Sequence, residues 1–127
     1  MNKKLCSILI INDSPSLNEL LKLTLEAGGF LVGFAETGIN GLREAKEWQY
    51  DLFLLDYTLP DINGVEVCRK LRKEKLTSTT PIAFITGMDK DRIYEEIIDA
   101  GADAYINPPF RGPAFIDIIK KLIEIGH

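Results

Sequence analysis

The chain has 127 residues, of which 46% are hydrophobic and 27% are charged, a composition typical of one globular domain with its own core. Its net charge of -4 makes it a poor nonspecific binder of nucleic acid, because neutralising phosphates requires clustered lysine and arginine. No apolar run approaches the ~20 residues that cross a bilayer, and Cys6 and Cys68 lack metal-binding spacing. We therefore expect a cytoplasmic protein that contacts neither membrane nor nucleic acid directly.

The first part of the chain predicts a strand followed by a helix. The run "LCSILII" is apolar, rich in branched side chains and without alternation, as is typical of a strand covered on both faces of a parallel sheet. Ser14 can cap a helix that has Pro15 in its first turn and ends at Gly28. The predicted apolar face of this helix comprises Leu17, Leu20, Leu21, Thr24 and Leu25.

The same unit recurs four more times. The runs "FLVGFA", "YDLFLL", "PIAFIT" and "ADAYI" predict strands, and a segment of helical spacing follows each, the second helix beginning near Asn40 and the third near Gly64. The predicted buried faces of these helices carry Leu42, Ala45 and Trp48, then Val65, Cys68 and Leu71, then Ile93, Ile97 and Ile98, then Phe115, Ile119, Leu122 and Ile123. Five such units predict an open parallel sheet with helices on both faces. No linker interrupts residues 1–127, which predicts a single domain.

Polar residues follow the predicted strands at the edge where ligands bind in such sheets, outside the carboxyl ends of the strands. Asp56 directly ends the apolar run "LFLL", where an ionised carboxylate is costly unless water, a cation or hydrogen bonds reach it. A capping role is the alternative, but the next helix begins near Gly64, too far downstream for Asp56 to cap it. We therefore interpret Asp56 as a functional residue.

Asp13 ends the first strand and is expected to lie beside Asp56. Two carboxylates form an oxygen site suited to Mg²⁺, and a metal there can organise phosphoryl transfer to a carboxylate nucleophile. Taken alone, Asp13 is equally well explained as a charge that the dipole of the following helix favours. Thr86 follows the fourth strand and is expected at the same edge.

Together these segments resemble the receiver domain of bacterial response regulators. The resemblance is carried by "ILIINDSP", "YDLFLLDYTLPDINGVEVCRKLR", "PIAFITG" and "GADAYINPPF", in this order and spacing, and it covers essentially the whole chain. It implies an α/β, flavodoxin-like fold: an open five-stranded parallel sheet of (βα)5 units with strand order 2-1-3-4-5. It also implies a two-component signalling module rather than an enzyme.

The resemblance assigns a role to each polar residue. Asp56 would accept a phosphoryl group from a histidine kinase or phosphotransfer protein, with Asp13, Asp56 and the backbone carbonyl of Thr58 binding Mg²⁺. The Thr86 hydroxyl would bond the phosphoryl group, and Tyr105 would rotate inward as the output switch. Packing in the core or at the edge of the sheet explains Tyr105 equally well. The partners implied are a downstream effector protein or domain and a receiver homodimer.

Two positions depart from the family pattern. Asn12 replaces the first of two acids that usually end the first strand. Its amide oxygen can still accept a hydrogen bond or hold a metal-bound water, so it stays a site residue, but the loss of one negative charge should weaken Mg²⁺ binding. Pro108 replaces the usual lysine, whose ammonium would neutralise the phosphoryl charge, and the resemblance suggests a cis bond before Pro109. Arg111 and Lys90 could approach the site, but we interpret them as solvated surface charges.

Three hypotheses remain. The first is an atypical receiver that is phosphorylated inefficiently, which the retained site residues favour. The second is a pseudo-receiver that acts only through protein contacts, which the two replacements favour. The third, a flavodoxin-like cofactor binder or small hydrolase, is disfavoured because "NDSPSLNE" has no glycine to cradle a phosphate, no GxxxxGK[ST] or GxSxG motif occurs, and the one histidine is His127.

Overall fold

The computed structural model describes residues 5–126; residues 1–4 and His127, the histidine discussed above, lie outside this range. Strands and helices alternate along the described chain. Their bounds are β1 Ser7–Ile11, α1 Pro15–Ala27, β2 Leu31–Ala35, α2 Gly38–Glu47, β3 Leu52–Leu55, α3 Gly64–Lys73, β4 Ile82–Ile85, α4 Lys90–Asp99, β5 Ala104–Ile106 and α5 Gly112–Ile125. None of these helices is long and apolar enough to cross a membrane.

The five strands form one parallel sheet in the order β2-β1-β3-β4-β5, which confirms the predicted fold class. Every residue of β1, β3 and β4 is buried, as expected for interior strands whose apolar runs show no alternation. The edge strand β2 differs, because Leu31 and Phe34 are exposed. The sheet order brings the ends of β1, β3 and β4 side by side.

Helices cover both faces of the sheet. Leu9 and Ile11 of β1 belong to a core cluster with residues of α2, α3 and α4, whereas Ile8 and Ile10 pack in a second cluster with residues of α1 and α5. This division follows from the alternation of side chains along a strand. The two clusters cover the two faces of the sheet, so its carboxyl edge is formed by the loops.

Three of the predicted buried helical positions are wrong. Leu20 is 45% exposed, Trp48 58% and Ile98 38%. On α1 the buried stripe runs through Asn18 instead of Leu20. Trp48 has an extended backbone at the end of α2, so it no longer lies on the helical face. Ile98 lies one residue, or about 100°, around the helix from the buried stripe.

The second helix begins two residues earlier than the sequence predicts. Its cap is Thr37, whose side chain accepts from the N–H of Asn40 at 3.0 Å, and the helix starts at Gly38. The first cap is as predicted: Ser14 accepts from the N–H of Leu17, with Pro15 next to it. Hydroxyl side chains thus close both helix N-termini that follow β1 and β2.

Candidate functional site

The ends of β1 and β3 are adjacent at the carboxyl edge of the sheet. The N–H of Asp56 donates to the carbonyl of Ile11 at 2.9 Å, and the N–H of Asn12 donates to the carbonyl of Ala35 at 3.0 Å. In the parallel register Ile11 pairs with Leu55, so the residues that follow each strand leave the sheet side by side, and the charge of Asp13 raises the pKa of Asp56. The structure therefore brings Asn12, Asp13 and Asp56 together.

Asp56 is half-buried, and its pKa is raised above the usual aspartate value. The largest cause is burial, which disfavours the charged form, and the negative charge of Asp13 adds to it. Hydrogen bonds from the N–H groups of Tyr57 and Thr58 and from the Thr86 side chain act in the opposite direction and lower the pKa. No lysine or arginine of residues 5–126 is among the groups that shift this pKa.

Thr86 is buried at the end of β4 and has a free proton to donate. Its Oγ1 accepts from the N–H of Met88 at 3.2 Å. Because a hydroxyl both accepts and donates, this bond leaves the O–H hydrogen available. The carboxylate of Asp56 is the group on which it acts.

The loop after Asp56 is held by a close approach that only glycine permits. A Cβ at Gly64 would lie 2.1 Å from the carbonyl oxygen of Asp56 and 3.0 Å from the ring of Phe84. The N–H of Gly64 donates to the carbonyl of Tyr57 at 2.8 Å. The first turn of α3 therefore packs directly against the backbone of the candidate acceptor residue.

Two further side chains anchor the same loop. Asn63 caps α3 by accepting from the N–H of Glu66 at 2.9 Å, so Asp56 is not the cap of this helix. Asp61 accepts from the N–H groups of Gly38 and Ile39, both at 2.8 Å. The loop is thus tied to α2 and α3.

Thr58 has an available backbone oxygen in this anchored loop. No hydrogen bond described for residues 5–126 ends on its carbonyl, and its Oγ1 lies 3.9 Å from Sδ of Met88. This carbonyl and the carboxylates of Asp13 and Asp56 are the hard oxygen ligands that fit Mg²⁺, which keeps several waters and needs no protein cage. The described residues contain no cluster of three or more His, Cys, Asp or Glu that could hold a metal.

Asn12 has a buried partner that the sequence analysis missed. Its Nδ2 donates to Oδ1 of Asn18 at 3.0 Å, and Nδ2 of Asn18 donates to the backbone carbonyl of Asn12 at 2.9 Å. Asn18 lies on the inward face of α1, beside Leu21. The available signal was an amide side chain on the stripe where an apolar residue is expected.

Two tyrosines connect the site with neighbouring elements. The hydroxyl of Tyr105, on β5, donates to the carbonyl of Met88 at 2.8 Å, and so contacts the segment that carries Thr86. The hydroxyl of Tyr57, next to Asp56, hydrogen-bonds the carboxylate of Glu96 on α4. Each bond joins a loop of the site to the α4–β5 side of the domain.

The two prolines lie in the loop after β5. The bond between Pro108 and Pro109 is cis, which confirms the expectation for Pro109. Pro108 is exposed and has neither a charge nor an N–H. It cannot replace the ammonium group of a lysine.

Lys90 and Arg111 do not act on Asp56 either. Nζ of Lys90 lies 5.0 Å from the ring centroid of Tyr94, on its own helix, and Arg111 is exposed at the start of α5. Neither is among the groups that shift the pKa of Asp56. The described part of the site is therefore a set of acceptors and neutral donors without a cation.

Fold and site together define a receiver domain. The family model for the response regulator receiver domain matches residues 8–120, and the chain belongs to this family of two-component signalling modules.

Curated relatives support this assignment to the receiver family. The chain is 37% identical over 117 residues to the DNA-binding dual master transcriptional regulator RpaA of Synechocystis, covering 92% of this chain and 48% of the relative. It is 40% identical over 106 residues to the response regulator ArlR of Staphylococcus epidermidis, covering 82% and 46%. The chain thus spans about half the length of the curated relatives it matches.

Among solved structures, a CheY-like receiver domain protein of Methanospirillum hungatei superposes with a TM-score of 0.88 at 30% identity, covering 97% of both chains. The receiver domain of a sensor histidine kinase of Pseudomonas aeruginosa gives a TM-score of 0.87 at 26% identity, covering 95% of this chain and 99% of that one. That structure has a magnesium ion coordinated in its active site cleft.

Proposed function

We propose that residues 1–127 act as one receiver domain that accepts a phosphoryl group on Asp56 from a histidine kinase or phosphotransfer protein in the cytoplasm. The observation that supports this most directly is the environment of Asp56. It is a half-buried carboxylate that receives hydrogen bonds from Thr86 and from two backbone N–H groups, next to a second carboxylate, and no cation of residues 5–126 is among the groups that shift its pKa. The negative charge of such a carboxylate is not neutralised by a neighbouring cation, so the carboxylate can bind a metal ion and can attack a phosphoryl group.

The residues that would hold Mg²⁺ are Asp13, Asp56 and, through its backbone carbonyl, Thr58. The ion would supply positive charge that neutralises the incoming phosphoryl oxygens. Asn12 in place of an acid leaves one negative charge fewer at this edge, and we infer that Mg²⁺ binds more weakly here than in a site with three carboxylates.

The chemical step is an in-line displacement at phosphorus. One carboxylate oxygen of Asp56 forms a bond to phosphorus while the bond from phosphorus to the donor's histidine nitrogen breaks. The electron pair of the broken bond stays on the imidazole, which takes a proton from solvent. The Thr86 hydroxyl would donate to a phosphoryl oxygen in the product, an acyl phosphate.

We infer that this step is slow. Charge-stabilising donors aimed at the reacting group each contribute on the order of 3 kcal/mol to transition-state stability. Pro108 supplies no such donor, and neither Lys90 nor Arg111 acts on Asp56.

The signal would leave through protein contacts. Thr86 and Tyr105 already meet through the segment ending at Met88, since the Tyr105 hydroxyl donates to that residue's carbonyl. A shift of Thr86 toward a phosphoryl group would change this bond and so the α4–β5–α5 surface. A downstream effector protein or domain, or a second receiver in a homodimer, would bind there.

A pseudo-receiver that is never phosphorylated is the second candidate, and the absence of a cation at the described site favours it. Intact-mass measurement after incubation with acetyl phosphate and Mg²⁺ separates the two. We expect partial addition of one phosphoryl group that hydroxylamine removes, and no addition to Asp56→Asn. Asp117→Asn, which removes an exposed carboxylate on α5, is the matched control and should be modified like wild type.

Wild type that stays unmodified would support the pseudo-receiver. Modification that survives Asp56→Asn would show that another residue is the acceptor.

A further inference from the structure

The asparagine pair formed by Asn12 and Asn18 includes the residue that directly precedes Asp13 of the candidate metal site. The two residues are 2% and 4% exposed, respectively. Asn12 immediately follows β1, and Asn18 lies in the first turns of α1, where its own N–H donates to the carbonyl of Ser14. The pair therefore connects the first helix to the edge at which Asp13 and Asp56 meet.

The hydrogen-bonding capacities of these groups permit one arrangement of the two amides. The backbone carbonyl of Asn12 can only accept, so Asn18 must face it with Nδ2. The Oδ1 of Asn18 then faces Asn12 and needs a donor, which the Asn12 side chain supplies only through its own Nδ2. Both orientations follow from this logic, and turning either amide over would bring two acceptors or two donors together.

The remaining atom of the pair is Oδ1 of Asn12. No group in residues 5–126 donates to it, yet no buried side-chain nitrogen or oxygen in that range lacks a partner. This oxygen is therefore reached by solvent. Asn12 adjoins Asp56 at the strand ends, so this solvent-reached oxygen belongs to the carboxyl edge of the sheet.

We propose that Asn18 is a positioning residue for the metal site. By binding Nδ2 of Asn12, it makes the amide present an oxygen, and not an NH₂ group, to a divalent cation or to water bound by it. An amide released from Asn18 could turn and donate its NH₂ to the carboxylates of Asp13 and Asp56, which opposes cation binding. This inference rests on the proposed function, because it concerns the same Mg²⁺ site.

The test is a titration of the protein with Mg²⁺ alone, followed through the NMR signals of the Asp56 and Thr58 amides. Asn18→Leu removes both hydrogen bonds, whereas Asn18→Asp keeps an acceptor for Nδ2 of Asn12, although it replaces the donor to the Asn12 carbonyl with a second acceptor. We expect Asn18→Leu to raise the Kd for Mg²⁺ about tenfold, as residues that orient ligands commonly do. Asn18→Asp should bind at least as tightly as wild type.

Thr77→Val is the matched control. It removes another buried hydrogen bond, from Thr77 Oγ1 to the Leu71 carbonyl, in the loop between α3 and β4 at the opposite edge of the sheet. It should leave the Kd unchanged. If Asn18→Leu does not fold, Asn18→Ser replaces it, with the same expected loss.

Wild-type affinity for Mg²⁺ in Asn18→Leu would overturn the inference. An equal loss of affinity in Asn18→Leu and Asn18→Asp would also overturn it, because Asn18 would then act only through general structure. Neither result would refute the proposed metal site. Absence of saturable Mg²⁺ binding to wild type would instead refute the metal site of the proposed function, and this inference with it.

Discussion

The amino and carboxyl edges of the sheet differ in how their carboxylates are neutralised. At the amino edge, the guanidinium of Arg72 pairs with Asp103 at 2.9 Å, and the same carboxylate oxygen accepts from the N–H of Ile82. Arg72 also donates to three backbone carbonyls, those of Gly101, Thr77 and Thr80. At the carboxyl edge, Asp56 has Asp13 as its charged neighbour, and no cation in the described part of the chain is among the groups that shift its pKa.

The difference shows which charges hold the fold together and which remain for chemistry. The Arg72 cluster joins α3 to the start of β4 and β5 through hydrogen bonds within the chain. Asp56 receives only neutral donors, so its ionised form is stabilised less than burial and Asp13 destabilise it. At the carboxyl edge, the charge of Asp56 can therefore be neutralised by a bound cation. At the amino edge, Arg72 already neutralises Asp103.

Removing the Arg72 cation from the amino edge should have the largest effect on stability. Arg72→Met leaves the partly buried carboxylate of Asp103 and three carbonyls without their donor, and breaking such a pair costs about 3 kcal/mol. We expect a loss of this size in the free energy of unfolding, measured by urea denaturation. Phosphorylation of the folded variant should be unchanged.

Arg69→Met is the control on the same helix. Arg69 is half exposed and lies 4.0 Å from Glu66, a contact worth less than about 0.5 kcal/mol. Similar losses in both variants would show that the Arg72 cluster is an ordinary surface contact, and the contrast between the two edges would fail.

Adding a cation near Asp56 at the carboxyl edge is the reverse experiment. Pro108→Lys places an ammonium in the loop after β5, and one donor aimed at the phosphoryl group contributes on the order of 3 kcal/mol. We expect phosphorylation by acetyl phosphate to become about a hundredfold faster. The pKa of Asp56 should fall toward its usual value.

Pro108→Gln is the matched control, because it also replaces the ring with a flexible polar chain but adds no charge. A rate increase in Pro108→Gln equal to that in Pro108→Lys would attribute the effect to the loop. An unchanged rate in both would mean that the site has no need of the missing cation.

The same contrast explains what the sequence could predict. Apolar runs that end in a polar residue located the strands and Asp56, because a carboxylate after four buried residues has few structural explanations. Arg72 was not predicted, since an arginine on a helix with three other basic residues nearby has no sequence signal for its distant carbonyl partners. Asn18 was missed for a similar reason: helical periodicity assigned the stripe to Leu20, and only the three-dimensional contact with Asn12 accounts for a buried amide.

A substitution at Gly64 tests how the packing of α3 supports the loop that carries Asp56. Gly64→Ala would place a Cβ 2.1 Å from the Asp56 carbonyl oxygen, and relieving this clash requires the backbone of α3 or of the site loop to move. We expect a loss of about 2 kcal/mol in unfolding free energy together with slower phosphorylation. Gly87→Ala, where no atom lies within 4 Å of the new Cβ, should cost less than about 0.5 kcal/mol, and equal losses would refute the packing argument.

The smallest expected effect is a gain in stability from Asp56→Asn. The pKa of Asp56 is raised in the folded protein, so between the usual aspartate value of 3.8 and the raised value the native state binds more protons than the unfolded state. Stability therefore falls as pH rises through this window, and the cost of the carboxylate is fully present above it. Asn removes that cost. Since solvent screens a half-buried group, the gain at neutral pH should be at most about 1 kcal/mol.

The pH dependence distinguishes this explanation from a general effect of the substitution. Unfolding free energies of wild type and Asp56→Asn should differ at neutral pH and converge as pH falls below the usual aspartate value, where Asp56 is protonated in both states. Asp117→Asn, on the exposed side of α5, should show no comparable gain. A gain that persists at low pH would come from packing, and a loss at neutral pH would mean that the ionised carboxylate stabilises the fold. In that second case Asp56 would be paired like Asp103, and the two edges of the sheet would not differ in the way proposed.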